Sequence, residues 1–158
     1  MFNPVTVPIG IDVKYHSEGM TPLEKTKKGD WIDLRAGKKY VLKKDDYGVL
    51  DLGVSMKLPE GYEAIVAARS SLFRKHGILV TNGIGIIDNS YCGDDDVWGL
   101  CYLATRDTVI EFDERIAQFR ILPTMEQLGK EREMSYFFNT VEKLDGENRG
   151  GFGSTGSN

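Results

Sequence analysis

The stretch from Asn82 to Gly93 reads Asn-Gly-Ile-Gly-Ile-Ile-Asp-Asn-Ser-Tyr-Cys-Gly, and it gathers the residues best placed to do chemistry. Glycines and an Asn flank a short apolar run, Asp88-Asn89-Ser90-Tyr91 makes a polar turn, and Gly93 closes it. That order predicts a tight β-hairpin of apolar strand, turn and return strand. Glycines in such a place bring bare main chain close to whatever sits in the mouth of the hairpin. Its N–H and C=O groups can then read a flat polar ring much as a base-pair partner would. One carboxylate, Asp88, and one aromatic, Tyr91, project from the turn. A Gly-Asp-Tyr turn standing alone is most often a solvated turn with a half-buried Tyr, so the rest of the chain has to decide.

A second cluster lies upstream. Tyr62, Ala64, Val66 and Ala68 alternate as a strand that runs into Arg69-Ser70-Ser71-Leu72-Phe73-Arg74-Lys75-His76-Gly77. There the period changes: Ser70 or Ser71 is placed to cap a single helical turn, and Gly77 ends it. A capped helix start beside an Arg suits a phosphate, because free N–H groups and a fixed guanidinium both face the anion. The bland alternative is a helix cap with solvated basic residues.

These residues need a scaffold, and the composition describes one. The 158 residues suit one domain, 41% are hydrophobic, and 18 glycines among many short apolar runs favour β structure. A net charge of −4 with no Lys/Arg-rich block argues against a nucleic-acid-binding face, though not against a nucleotide held in a local basic site. No apolar stretch approaches membrane-spanning length and the N-terminus lacks a signal-peptide layout, so no membrane association and a cytoplasmic location are expected. Cys92 and Cys101 form no C-x-x-C pair and read as two buried, reduced thiols; His16 and His76 stand alone, which disfavours a histidine triad or metal site.

Period-two alternation supplies the strands. Val5, Val7, Ile9, Ile11 and Val13 predict a half-buried strand with Pro8 at an edge or bend. A charged loop is expected from Glu18 to Asp30, and a second alternating strand from Leu50 to Leu58, ended by the Pro59-Glu60-Gly61 turn. Asp94-Asp95-Asp96 reads as a solvated strand end. Two strands broken at Phe112-Asp113-Glu114 are expected between Val109 and Ile121. Thr124 to Gln127 has capping-box form, with Gly129 expected to stop the helix within about one turn. A last strand is expected from Tyr136 to Leu144, and the Gly-, Ser- and Asn-rich stretch beyond it reads as a flexible tail.

With the residues set out, a resemblance appears. Asn82-x-x-Gly85-x-Ile87-Asp88-x-x-Tyr91-x-Gly93 resembles the third of five motifs of the trimeric dUTP diphosphatases. Asp33-Leu34-Arg35-Ala36 is similar to the first motif, whose Asp holds water around a magnesium ion; Asp30-Trp31-Ile32 replaces the usual Ala-Gly-Tyr before it, leaving the role of Trp31 open. Arg69-Ser70-Ser71 resembles the second motif, usually Pro-Arg-Ser-Gly, with Ala68 for the Pro and Ser71 for the Gly. Arg115-Ile116-Ala117-Gln118-Phe119 looks like the fourth, in which the Gln completes a water shell near magnesium and phosphates and the Arg is mainly structural. Arg149-Gly150-Gly151-Phe152-Gly153-Ser154-Thr155-Gly156 resembles the fifth, whose Phe stacks on uracil and whose Arg grips the terminal phosphate. The resemblance spans positions 29 to 156 in the family's motif order.

The resemblance implies an all-β, jelly-roll-like sandwich of about ten short strands over residues 1–144, which the period-two runs support independently. It implies a lid at 145–158, and a homotrimer whose sites are each shared between subunits. It implies hydrolysis of dUTP to dUMP and pyrophosphate with Mg²⁺ as cofactor. Asp88 would be the catalytic base, with Arg69, Ser70, Ser71, Asn82, Gly85, Ile87, Tyr91, Gln118, Arg149, Phe152, Gly153 and Ser154 on the substrate. Asp33 and Gln118 would hold the metal through water. A regulatory protein partner is expected if the gene is phage-borne. Two other readings stand beside it. The dCTP deaminases share the fold and often read Arg-Ser-Ser-Leu at the second motif, but carry a catalytic Glu after the hairpin, where Val97 to Tyr102 contains none. A non-catalytic β module with a structural or regulatory role is the third.

Overall fold

Alternating side chains become short antiparallel strands in the computed structural model, which describes residues 8–131, 137, 139–144 and 146–147. Among these residues the strands are β1 (Asp12–Tyr15), β2 (Ile32–Arg35), β3 (Tyr40–Leu42), β4 (Tyr47–Asp51), β5 (Val54–Lys57), β6 (Tyr62–Ala68), β7 (Ile78–Val80), β8 (Gly85–Ile87), β9 (Gly99–Ala104), β10 (Thr108–Ile110) and β11 (Arg115–Pro123). Two short helices join them, α1 (Leu72–His76) and α2 (Met125–Glu131). A four-stranded sheet in the order β2-β11-β6-β8 and a three-stranded sheet β4-β9-β7 are flanked by the pairs β1-β5 and β10-β3. The fold is all-β, of the jelly-roll sandwich kind.

The alternation decides what faces inward. On β9, Leu100, Tyr102 and Ala104 are buried, and on β6, Ala64 and Val66 are. Leu34 on β2 and Ala117 and Phe119 on β11 complete the layer from the first sheet. Trp98, just ahead of β9, meets the Phe119 ring edge-on with centroids 5.2 Å apart. Each fully buried Leu, Ile or Val contributes about 1.5–3 kcal/mol, so this shared layer holds the sheets together.

Several sequence expectations change in detail. Val5 and Val7 lie outside the described residues, and β1 begins only at Asp12, with Ile9 half exposed. The run from Leu50 to Leu58 is two strands, because Gly53 takes a left-handed φ of 69° and breaks the pleat. The Pro59-Glu60-Gly61 turn forms where expected, with the Tyr62 N–H donating to the Pro59 carbonyl at 3.2 Å. The two strands around residues 112–114 also form, and Asp113 supplies the left-handed corner at φ 63°. Helix α2 is capped as expected, the Gln127 N–H donating to Thr124 Oγ1 at 3.1 Å, but it passes through Gly129 to Glu131. Phe137 and residues 139–144 form no strand and are exposed; Tyr136 and Phe138 lie outside the described residues. Among the described residues no helix is long and apolar enough to cross a membrane.

Candidate active site

Three of the residue groups singled out above meet at one end of the four-stranded sheet. Between Arg115 and Ala117 the β11–β2 register slips, and a β-bulge adds one residue, Ile116, which is buried along with Ala117. Past the bulge Gln118 stands opposite Asp33 on β2 and opposite Ala67 on β6, so both polar side chains share the face away from the core. Arg69 follows directly on β6 and is fixed by its N–H donating to the Ile116 carbonyl at 3.2 Å. Its guanidinium Nε lies 3.0 Å from Asp33 Oδ1, while Arg115 Nη1 lies 3.3 Å from Oδ2. Gln118 Nε2 donates to the Ala68 carbonyl at 3.0 Å, which leaves its Oε1 to accept.

Beyond Arg69 the chain turns. Ser71 occupies the N-cap position of α1 but makes no side-chain cap bond, contrary to the expected serine cap, so its hydroxyl is not spent there; Ser70 is exposed. Gly77 ends the helix in the left-handed region at φ 66°. Helix α1 is moored by its last turn. Glu114 Oε1 accepts from Lys75 Nζ at 2.5 Å and from buried His76 Nε2 at 2.6 Å, and His76 Nδ1 is bonded to Thr108 at 2.8 Å. Burial raises the Glu114 carboxyl pKa, but hydrogen bonds from Lys75, His76 and the Glu111 N–H outweigh it and bring the value down to about 2. The sequence showed His76 as a lone histidine and Glu114 as part of a strand break, and their pairing went unread because they stand 38 residues apart.

The Asn82–Gly93 segment sits elsewhere. Its strand, β8, pairs antiparallel with β6 through Ala64↔Ile87 and Val66↔Gly85, and among the described residues nothing pairs with its other side. The expected hairpin is therefore corrected: the turn forms, with the Tyr91 N–H donating to the Asp88 carbonyl at 3.0 Å, but the chain does not return beside β8. As the free edge of a sheet, β8 leaves backbone donors and acceptors open. They border a groove of about 430 Å³ lined by Asn82, Gly85, Ile87, Asp88 and Tyr91 together with a wall of Val49, Val97 and Gly99. A Cβ on Gly99 would collide with the Val49 side chain, so only glycine lets that wall close up. Asp88 is exposed, and hydrogen bonds from the Ser90 hydroxyl and N–H hold its carboxyl below the usual carboxylate range. The Tyr91 hydroxyl donates to the Val97 carbonyl at 3.1 Å, and both residues line the groove.

These two clusters do not meet within one chain. Ile87 stands opposite Ala64, so Asp88 falls level with Glu63, six residues along β6 from Arg69. At ~3.3 Å per residue that is roughly 20 Å. Arg149, Phe152, Gly153 and Ser154 lie outside the described residues. Trp31 packs under Arg120, whose guanidinium carbon is 5.7 Å from the ring centroid and which also pairs with Asp30 at 3.2 Å. The three consecutive acids disperse: Asp94 pairs with Lys14 at 3.2 Å, and Asp96 accepts the Gly93 N–H at 2.8 Å. Among the described residues no group of three or more His, Cys, Asp or Glu is placed to hold a metal ion. Both cysteines are free, but neither is fully buried as expected: the turn carries Cys92 out of the core into an exposed position, and Cys101 is half-buried.

Known proteins share the sequence and fold of this chain. A dUTPase family model matches residues 18–156. The chain is 44% identical over 147 residues, 93% of its own length and 98% of the relative's, to the SPbeta prophage-derived deoxyuridine 5'-triphosphate nucleotidohydrolase YosS of Bacillus subtilis (strain 168). It is 33% identical, over 90% of this chain and 93% of the relative, to the deoxyuridine 5'-triphosphate nucleotidohydrolase of Helicobacter pylori (strain J99 / ATCC 700824). In fold it resembles the dUTPase of Streptococcus mutans, with a TM-score of 0.65 and 22% identity over 73% of this chain and 96% of that one. It likewise resembles the Staphylococcus bacteriophage 80alpha dUTPase with dUPNHPP, with a TM-score of 0.62 and 20% identity over 94% and 99%. The chain belongs to the dUTPase family.

Proposed function

We propose that the protein hydrolyses dUTP to dUMP and pyrophosphate, keeping uracil out of DNA, in sites that form only where two or more copies of the chain meet. The observation that carries the second half is the split along β6: a ring-reading groove with Asp88 at one end, and Arg69, Asp33 and Gln118 roughly 20 Å away. A second observation supports it. Tyr47, Val49 and Leu79 are exposed on the outer face of the β4-β9-β7 sheet, and Val49 also walls the groove. An apolar sheet face next to an incomplete site is suited to burial against another copy. A homotrimer with the phosphate cluster from one chain, the groove from a second and the 145–158 lid from a third meets both requirements.

Charge dictates the chemistry. The anionic triphosphate repels a nucleophile, so cations must neutralise and align it. Arg69, held by Asp33, presents a fixed guanidinium there; Ser70 and Ser71 offer hydroxyls beside it, and Arg149 adds a second guanidinium from the lid. The donor set fits magnesium held mainly by substrate phosphates and water. Asp33 is a single carboxylate, already paired with two guanidiniums, and Gln118 Oε1 is open to a water ligand. Bound there, Mg²⁺ would withdraw charge from the phosphate oxygens. In the groove, Asn82, Gly85 and Ile87 would read the uracil edge, Phe152 would stack on its face, and Gly153 and Ser154 would close the lid. Tyr91 beneath the sugar leaves no room for a 2′-hydroxyl. Asp88 orients a water toward the α-phosphorus and takes its proton; the new P–O bond gives dUMP as the bond to the β-phosphate oxygen breaks. With its carboxyl held below the usual range, Asp88 works through position more than basicity. A soluble nucleotide substrate is in keeping with a cytoplasmic enzyme.

The direct test incubates the protein with dUTP, dCTP, dTTP and UTP plus Mg²⁺ and assays pyrophosphate and ammonia. Pyrophosphate from dUTP alone is expected. Ammonia from dCTP would assign the deaminase reaction instead, and no product from any of them would leave a binding module.

A further inference from the structure

We propose that Asn89 is the residue that positions Asp88, by tying the turn that carries it to the turn between β5 and β6. The inference rests on Asp88 as the base. A carboxylate that works by position needs a rigid mount, and β8 alone is a poor one. It is a three-residue edge strand whose pairing ends at Ile87, and Asp88 beyond it is exposed.

Asn89 supplies the mount. Its Nδ2 donates to the Pro59 carbonyl at 2.9 Å and to the Tyr62 carbonyl at 2.8 Å, so both amide hydrogens are committed to one turn. That turn is itself braced. The Tyr62 N–H closes it on Pro59, and on its far side the Gly61 carbonyl accepts the Thr124 N–H at 2.8 Å, at the start of α2. Gly61 has a φ of 80°, a left-handed conformation that favours glycine, and the Gln127 side chain packs over it. With Asn89 half-buried on this post, Ser90 follows and holds Asp88 Oδ1 by its N–H at 2.9 Å and by its hydroxyl. Among the described residues Asp88 Oδ2 has no hydrogen-bond partner, so the free oxygen is aimed by the clamp. Asn89 does not line the groove. Its effect on substrate therefore passes through Asp88.

Asn suits this task where its isostere does not. Two carbonyls need two N–H donors, and Asp offers none when ionised. Asn89→Asp keeps the volume and removes the donors, while Asn89→Ala removes both. We expect each folded variant to lose kcat on dUTP by about 10- to 100-fold, the scale of a sub-ångström to ångström misplacement. KM, and the Kd for a non-hydrolysable imido analogue of dUTP measured calorimetrically, should stay within about threefold because the groove is untouched. Asn89→Ser, which keeps one hydroxyl donor and serves where the alanine variant fails to fold, should fall between. Normal kcat in Asn89→Asp would overturn the proposal, as would a loss appearing wholly in KM and analogue affinity. Asp88→Asn, measured alongside, separates the two layers. If Asp88→Asn is inactive while the Asn89 variants retain kcat, the positioning role fails and the base survives. If Asp88→Asn turns over normally, the base fails and the positioning role with it.

Discussion

Glu114→Gln removes the charge that moors the end of α1, and its effect on stability should depend on pH in a way the geometry fixes. The side chain is 15% exposed and accepts from Lys75, His76 and the Glu111 N–H. Its carboxyl falls from 4.5 to about 2. A carboxylate with a depressed folded pKa stabilises the fold above the unfolded pKa and stops doing so as pH falls through the folded one. At 1.36 kcal/mol per unit the contribution is about 3 kcal/mol at pH 7, still near its full value at pH 5, and about 1 kcal/mol at pH 3. Urea unfolding of wild type and variant at pH 7, 5 and 3, at one fixed chain concentration, reads this directly. The difference in unfolding free energy should shrink from about 2–3 kcal/mol to about 1 kcal/mol or less over that range. An equal difference at pH 7 and pH 3 would show that Glu114 acts through packing rather than charge, and would refute the reasoning.

Two further predictions concern the groove. Asp88→Asn should bind nucleotide but turn over at least ~10²-fold more slowly; near-normal pyrophosphate release would remove Asp88 from the role of base. Tyr91→Ala should relax discrimination against UTP, because the side chain lines the groove with its hydroxyl anchored on Val97. An unchanged ratio of kcat/KM for dUTP over UTP would mean that Tyr91 packs rather than selects.

What the sequence could show was set by the range of the interactions. The alternation at Leu100, Tyr102 and Ala104 is local and read directly as a half-buried strand. The break at Gly53 was hidden because apolar residues keep their period across it while only φ changes. The Asp88–Tyr91 turn was legible, but its strand was assigned a neighbour in sequence. The true partner, β6, begins more than twenty residues earlier, and a turn signal does not say which strand lies alongside. The meeting of Asp33 with Gln118 depends on a bulge at Ile116, which no local pattern announces. Asn89 gave no signal, since its acceptors are carbonyls 27 and 30 residues away. The tail motif was legible by resemblance alone.

In the proposed trimer Asp88 and the lid of one working site come from different chains, and subunit mixing tests this. A chain carrying Asp88→Asn and a chain lacking residues 146–158 should each be inactive alone. Co-expressed and purified as mixed trimers, they should regain activity, because every mixed cyclic trimer has one site pairing an intact Asp88 with an intact lid. Random mixing at equal levels makes about three-quarters of trimers mixed, so roughly a quarter of all sites should turn over dUTP. Activity near zero in verified mixed trimers would place Asp88 and the lid of each site in the same chain and contradict the account.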